Sequence, residues 1–257
     1  MVVNSLNSNS SDEFVSILSP LSTAKTVAHA AEKIISNPLS DITEKLLIND
    51  FETYGVYVKN LKTGESYGYN QNLKFETASL YKLWIMGAFF EKISNGTLSN
   101  TSNNRELLEK MITVSDNSAA STLISEVGRK NINNFLSENN LLNSNFGNTP
   151  TSTPEDIGLF FDKLYKGEVV SPTYSVEMMD ILKRQKINDR LPKYLPGSIV
   201  IAHKTGELDD YKNDGGVVFA QNGDYIIVVM SKTNDPDIAS EKIAKYSEVV
   251  FNYFSSL

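Results

Sequence analysis

The sequence contains no cysteine. Disulfides, thiol nucleophiles and zinc–thiolate sites are thereby excluded together, while the compartment stays open, because an exported protein can simply lack cysteine. Histidine is nearly as scarce. His29 and His203 lie far apart, and no HExxH pair exists to hold a metal. A Ser-His-Asp triad would have to draw on one of these two, and a packed or surface histidine is the commoner case. No run of about 18 apolar residues occurs, so the sequence offers no membrane span. A block of lysine and arginine is missing as well. With 24 basic against 31 acidic residues and a formal net charge of -7, the chain lacks the clustered positive face that nucleic acid requires. Near the start, no basic stretch is followed by an apolar one, as a secretory signal demands. Asn4–Ser11 is rich in Asn and Ser, and residues 1–20 are expected to be disordered. Removal of an export signal and a cytoplasmic protein with a loose start are both compatible with that beginning.

The 257 residues suit one domain or two intimately packed lobes, and 40% hydrophobic with 21% charged residues is ordinary for a soluble protein. Helical spacing runs from Leu21 to Asn49 through Val27, Ala31, Ile34 and Ile35, interrupted at Pro38, with Ser40 and Glu44 marking a second start. The period then changes. Tyr54–Lys59 and Ser66–Tyr69 read as two strands about the turn Lys62-Thr63-Gly64. Ala78–Ser94 reads as a helix apolar on most of its circumference, hence central to a core. Helices are predicted at Arg105–Thr113, Asn117–Val127, Arg129–Glu138, Pro154–Lys166 and 175–188. Thr153-Pro154-Glu155-Asp156 supplies cap, first-turn proline and acids. Ser198–His203, Gly216–Ala220 and Tyr225–Ser231 are β-branched strands, the last two joined by an Asn222-Gly223 turn, before a final helix over Ile238–Phe254. This order predicts an α/β (α+β) fold. An antiparallel sheet of about five strands would be flanked by N- and C-terminal helices, beside an all-helical lobe. The expected domain is 21–257, with an α/β lobe of 21–72 and 196–257 and a helical lobe of 73–195.

Three short motifs stand out: Ser79-Leu80-Tyr81-Lys82, Ser115-Asp116-Asn117 and Lys204-Thr205-Gly206. Each is weak alone; a second Lys-Thr-Gly at Lys62 needs no more than its turn. Order and setting carry the signal: the first opens a buried helix, the second lies between helices, the third ends a strand. Ser79 and Lys82, three apart on a helix, share a face. A serine hydroxyl needs a base to take its proton. With no histidine placed for the task, Lys82 is the natural one if burial and a nearby charge, such as Lys204, lower its pKa. Ser79 at a helix N-terminus offers its N–H to a developing oxyanion. Ser115 can relay a proton to a leaving nitrogen, and Asn117 can hold Lys82 and a substrate amide. Lys204 and Thr205 can bind a carboxylate.

From Gly55 to Phe254 the chain resembles the serine penicillin-recognising enzymes, most closely the class A β-lactamases, for which these three motifs are a recognised signature. The resemblance implies a β-lactamase/transpeptidase-like fold. Its implied catalytic residues are Ser79, Lys82, Ser115 and Glu207, the last as second oxyanion donor through its N–H directly after Lys204-Thr205-Gly206. The implied substrate-binding residues are Asn117, Lys204, Thr205 and Gly206, with Asp116 holding its loop. No metal or other cofactor is implied. The substrate would be a small β-lactam or a peptidoglycan-like peptide, the chain a monomer, and the location extracytoplasmic, where such substrates are met. One departure matters. Class A enzymes carry a Glu, and an Asn a few residues on, in the loop before the Thr153-Pro154-Glu155-Asp156 helix, and these activate the water that clears the acyl-enzyme. Here Asn143–Ser152 contains no acid. Glu155, Asp156 and Glu207 are the nearest candidates, with helix capping the plainer role for the first two. A β-lactamase, a D-alanyl-D-alanine-type peptidase trapped by penicillin, and an acylated sensor remain alternatives at this point.

Overall fold

The computed structural model describes residues 37–48 and 52–257. The disorder expected for 1–20 and the helical spacing around Val27–Ile35 lie outside the described residues. Helix α1, Pro38–Leu47, begins at Pro38, two residues before the start expected at Ser40: Asn37 caps it by accepting from Leu39 N–H, and proline suits the first turn. Strands β1 (Thr53–Asn60) and β2 (Ser66–Tyr69) form a hairpin. Its turn is closed by Asn60 Oδ1, which accepts from the N–H groups of Lys62 and Thr63. Two-residue strands β3 (Phe75–Glu76) and β4 (Thr151–Ser152) pair with each other. Between them lie a 3₁₀ turn, Ala78–Tyr81, and helices α2 (Lys82–Ser94), α3 (Ser102–Thr113), α4 (Asn117–Val127) and α5 (Arg129–Glu138). Then come α6 (Pro154–Tyr165), α7 (Pro172–Leu182), β5 (Val200–Leu208), β6 (Tyr211–Phe219), β7 (Tyr225–Lys232) and α8 (Pro236–Ser255).

The main sheet has the order β2-β1-β7-β6-β5, antiparallel throughout. Its central strand β7 is buried on both faces. Ile226, Val228 and Met230 face one core with α2 and α6, while Tyr225, Ile227 and Val229 face the other with α1 and α8. That two-sided burial is why Tyr225–Ser231 reads as a continuous apolar run. Thr43 Oγ1 and Tyr246 Oη, 2.9 Å apart, join α1 to α8 in the second core. Helix α2 is buried over all of Lys82–Phe90, and Gly87 leaves room for the Phe135 ring, which a Cβ would approach to 2.2 Å.

Several predicted elements differ from those found, among them the Gly216–Ala220 strand, which is instead β6 and starts five residues earlier at Tyr211. The Ala78–Ser94 helix opens with a 3₁₀ turn because Ala78 sits at φ +46°, outside helical space. The 175–188 helix is instead Pro172–Leu182, started by the Ser171 cap and Pro172. The strand predicted to end near His203 runs on through Lys204-Thr205-Gly206 to Leu208, sustained by pairing with β6 from Val200↔Phe219 to Leu208↔Tyr211.

Where α2 meets α5, the carboxyl groups of Glu91 and Glu138 face each other. Burial first, then hydrogen bonding to Glu138 and its charge, push Glu91 up to about 7. A carboxyl whose pKa is raised by folding stabilises fully below its unfolded value near 4.5, and that contribution is lost as pH rises through 7. Glu91→Gln should therefore leave Tm unchanged near pH 4 and raise it at pH 8. The expected gain is about 1 kcal/mol after allowing for solvent screening, or roughly 2–4 °C. Thermal melts of both proteins across that range test this; an equal Tm difference at both ends would contradict it.

Candidate active site

The 3₁₀ turn holds Ser79 against the open edge of β5. Close approach there depends on Gly206: a Cβ at that position would lie 2.5 Å from the Thr77 carbonyl and 3.3 Å from Ala78 Cβ. From the next turn, Lys82 reaches back. Its Nζ donates to Ser79 Oγ at 3.0 Å, Asn117 Oδ1 at 2.7 Å, the Ser115 carbonyl at 2.7 Å and Ser115 Oγ at 3.2 Å. Lys204 Nζ donates to Ser115 Oγ at 3.0 Å and to the Thr205 carbonyl at 2.8 Å. Five sequence-selected side chains, Ser79, Lys82, Ser115, Asn117 and Lys204, thus form one hydrogen-bonded cluster with Ser115 Oγ between the two amines.

Local structure explains the aim of each group. Asp116 caps α4, accepting from Ala119 N–H at 2.8 Å, and so fixes the start of that helix beside Ser115 and Asn117. Ser115 is forced to φ +59°, and Ala78 stands at φ +46° on the other side of Lys82. Left-handed backbone at a residue with a side chain costs roughly 1–3 kcal/mol, and such strain collects at functional sites.

Both lysines lie fully buried. Burial lowers Lys82 to about 8, opposed by the Asp116 charge. Burial lowers Lys204 to about 7, followed by the Lys82 charge, with Asp214 opposing and Arg190 adding to the fall. The charge effect expected of Lys204 upon Lys82 therefore falls chiefly on Lys204 itself. With a pKa of about 8, roughly a tenth of Lys82 is neutral at pH 7, against roughly one part in 3,000 at the ordinary lysine value of 10.5.

Glu207 behaves differently from the other selected residues. Its carboxylate is largely exposed and accepts from buried Arg190 at 2.6 Å and from Lys212, its cross-strand partner, at 2.5 Å. Despite partial burial, these partners lower its pKa. The side chain is an ion-paired anchor of the β5–β6 hairpin. His203 is no part of a serine triad: it lies buried, with Nδ1 2.9 Å from Asp214 and Nε2 3.1 Å from Asn188.

Outside the cluster opens a cleft of about 330 Å³, in the range of small-molecule sites. Ser79, Asn117, Glu207 and Leu208 line it, with 148–150 as the opposite wall and Glu76 also lining it. That wall is tied down by Thr77 N–H, which donates to the Pro150 carbonyl at 3.0 Å, and by the Asn145↔Thr151 bridge. Asp156 does not serve the cleft: its carboxylate accepts from Asn143 N–H and Ser144 Oγ, both at 2.8 Å, and closes the loop from behind. Glu76, the 148–150 wall and Arg190 were not selected from sequence. Glu76 and the wall meet through the β3–β4 pairing and the Thr77–Pro150 hydrogen bond, which are too short to leave a period. Arg190 follows no motif.

The family model described as the Beta-lactamase enzyme family matches residues 38–103 and 100–254. The chain belongs to this family. Among solved structures, that of PBP-A is similar over 87% of this chain and 97% of its own, at 28% identity and a TM-score of 0.80. A mutant of PBP-A, captured as its acyl-enzyme with penicillin G, gives 29% identity, 85% and 96% coverage and a TM-score of 0.79. A β-lactamase from Sphaerobacter thermophilus shares the fold at 20% identity, 85% and 97% coverage and a TM-score of 0.79. No match was found among curated proteins. Membership indicates a hydrolase of β-lactam amides and a small-molecule substrate. No helix among the described residues is long and apolar enough to cross a membrane.

Proposed function

We propose that the protein is a serine β-lactamase that works outside the cytoplasmic membrane through a Ser79 acyl-enzyme and deacylates slowly. The observation that carries this reading is the buried Lys82 amine, 3.0 Å from Ser79 Oγ and lowered to about 8. Neutral Lys82 takes the Ser79 proton as Oγ attacks the lactam carbonyl carbon. The N–H groups of Ser79 and Glu207 receive the oxyanion. Ser115 Oγ, within 3.2 Å of both amines, then passes a proton to the lactam nitrogen as the C–N bond breaks. Lys204 and Thr205 hold the substrate carboxylate, Asn117 its side-chain amide. Water hydrolyses the resulting ester without help from a loop acid, because 143–152 contains none.

The pH dependence of acylation tests the role of Lys82. Below about 7 both amines are protonated, Ser79 has no base, and the rate constant should rise about tenfold per pH unit. Between 7 and 8 it should level off, as the pair sheds its first proton. Stopped-flow acylation from pH 5 to 9 reads this; a flat profile below pH 7 would remove Lys82 as base.

A second reading, a D-alanyl-D-alanine-type peptidase or penicillin-binding protein trapped by β-lactams, is favoured by the acid-free loop together with the likeness to PBP-A. The two readings share the acylation step and separate at the fate of the ester.

A further inference from the structure

We propose that Glu76 selects substrates whose acyl side chain carries an ammonium group. The inference rests on the proposed function, which it deepens. A β-lactam with its carbonyl at Ser79 and its carboxylate toward Lys204 and Thr205 must send its acyl side chain into the remaining space. That space is the cleft bordered by Asn117, Leu208 and the 148–150 wall, and Glu76 lines it.

Glu76 is held in place by its main chain. It pairs with Thr151, and its carbonyl accepts from Asn213 Nδ2 at 3.0 Å. Its carboxylate lies near the Tyr211 phenol, which burial first, and then the Glu76 and Asp210 charges, push upward. Among the described residues no lysine or arginine forms an ion pair with Glu76. Of the neighbouring cations, Arg190 and Lys212 are engaged by Glu207, Arg129 by the Phe146 ring and the Gly147 carbonyl, and Lys74, exposed two residues before Glu76, forms no ion pair with it. Lys82 and Lys204 lie buried beneath, bound to the Ser115 and Asn117 oxygens and the Thr205 carbonyl. The other acids near this end, Asp209 and Asp210, sit exposed at the β5–β6 turn and add to the negative field. An uncompensated carboxylate in the cleft wall attracts a cation and repels an anion. The 143–152 loop, part of the same wall, adds no acid of its own.

Benzylpenicillin and ampicillin differ by one α-amino group, so the ratio of their acylation rates isolates the effect. In wild-type protein the ratio of ampicillin to benzylpenicillin acylation (k2/K) should exceed that of Glu76→Gln by roughly 2–5-fold, and the excess should shrink in 0.5 M NaCl. Glu76→Lys, a second variant with the same main-chain pairing, should move the ratio further in the same direction. Equal ratios in wild type and both variants, with both drugs still acylating Ser79, would overturn the role of Glu76 alone. Failure of both drugs to acylate the wild-type protein would overturn the proposed function and this inference with it.

Discussion

Ser79→Ala is expected to abolish covalent labelling by penicillin and to lower hydrolysis by at least about 10⁴-fold, while leaving the fold intact. The size follows from the arrangement. Ser79 Oγ is bonded to Lys82 Nζ at 3.0 Å, beside a cleft otherwise walled by side chains without a nucleophile of comparable activation. Cysteine is lacking, and the histidine of this region is held by Asp214 and Asn188. The other hydroxyls lining the cleft, those of Tyr81 and Thr149, are not hydrogen-bonded to the Lys82 or Lys204 amine. The hydroxyl is half-buried and packs no core, so its loss should change Tm little. Intact-protein mass and steady-state hydrolysis of a chromogenic cephalosporin check both halves. Full hydrolysis by the alanine variant would exclude the acyl-enzyme mechanism.

The second large effect concerns the ester. A positioned general base contributes about 10²–10⁴-fold, and the acids near Ser79 are poorly suited to be one. Glu207 is neutralised by Arg190 and Lys212, which stabilise its charged form and weaken it as a base. Asp156 faces the back of its loop. Glu155 is placed in the first turn of α6, its N–H donating to the Gln71 carbonyl. Glu76 lines the cleft but has no hydrogen-bonded arrangement with Ser79 comparable to that of Lys82. Deacylation of benzylpenicilloyl-Ser79 should therefore trail saturating acylation by about 10²–10⁴-fold, producing a burst of one lactam ring opened per protein before a slow steady state. A linear time course without a burst would mean that water is activated by a group this geometry does not reveal.

Much of the fold was legible because its signals are local. Tyr225–Ser231 announces a strand by unbroken β-branched burial, and Asn117–Val127 and Arg129–Glu138 are found at the bounds that their periodicity predicts. The candidate cluster was legible for a different reason: three short motifs, each weak alone, stand in an order and setting that together point to one site. What stayed hidden is long-range. Lys204-Thr205-Gly206-Glu207 is too polar to read as strand interior, and its extended state comes from pairing with Lys212–Gly215 across the sheet. The cleft wall at 148–150 exists because Thr77 N–H bonds to Pro150, 73 positions away. Arg190 is buried only because the β5–β6 hairpin presents Glu207 and the Asn213 carbonyl to it. The 3₁₀ turn at Ser79 follows from the positive φ of Ala78, which its residue type does not foretell.

The decisive measurement is intact-protein mass followed over time after mixing with benzylpenicillin, with the adduct located by peptide mapping. A single penicilloyl adduct on Ser79, forming within seconds and decaying over minutes or longer as product accumulates, is expected. Product accumulating with no adduct at any time, or an adduct on a residue other than Ser79, would contradict the account.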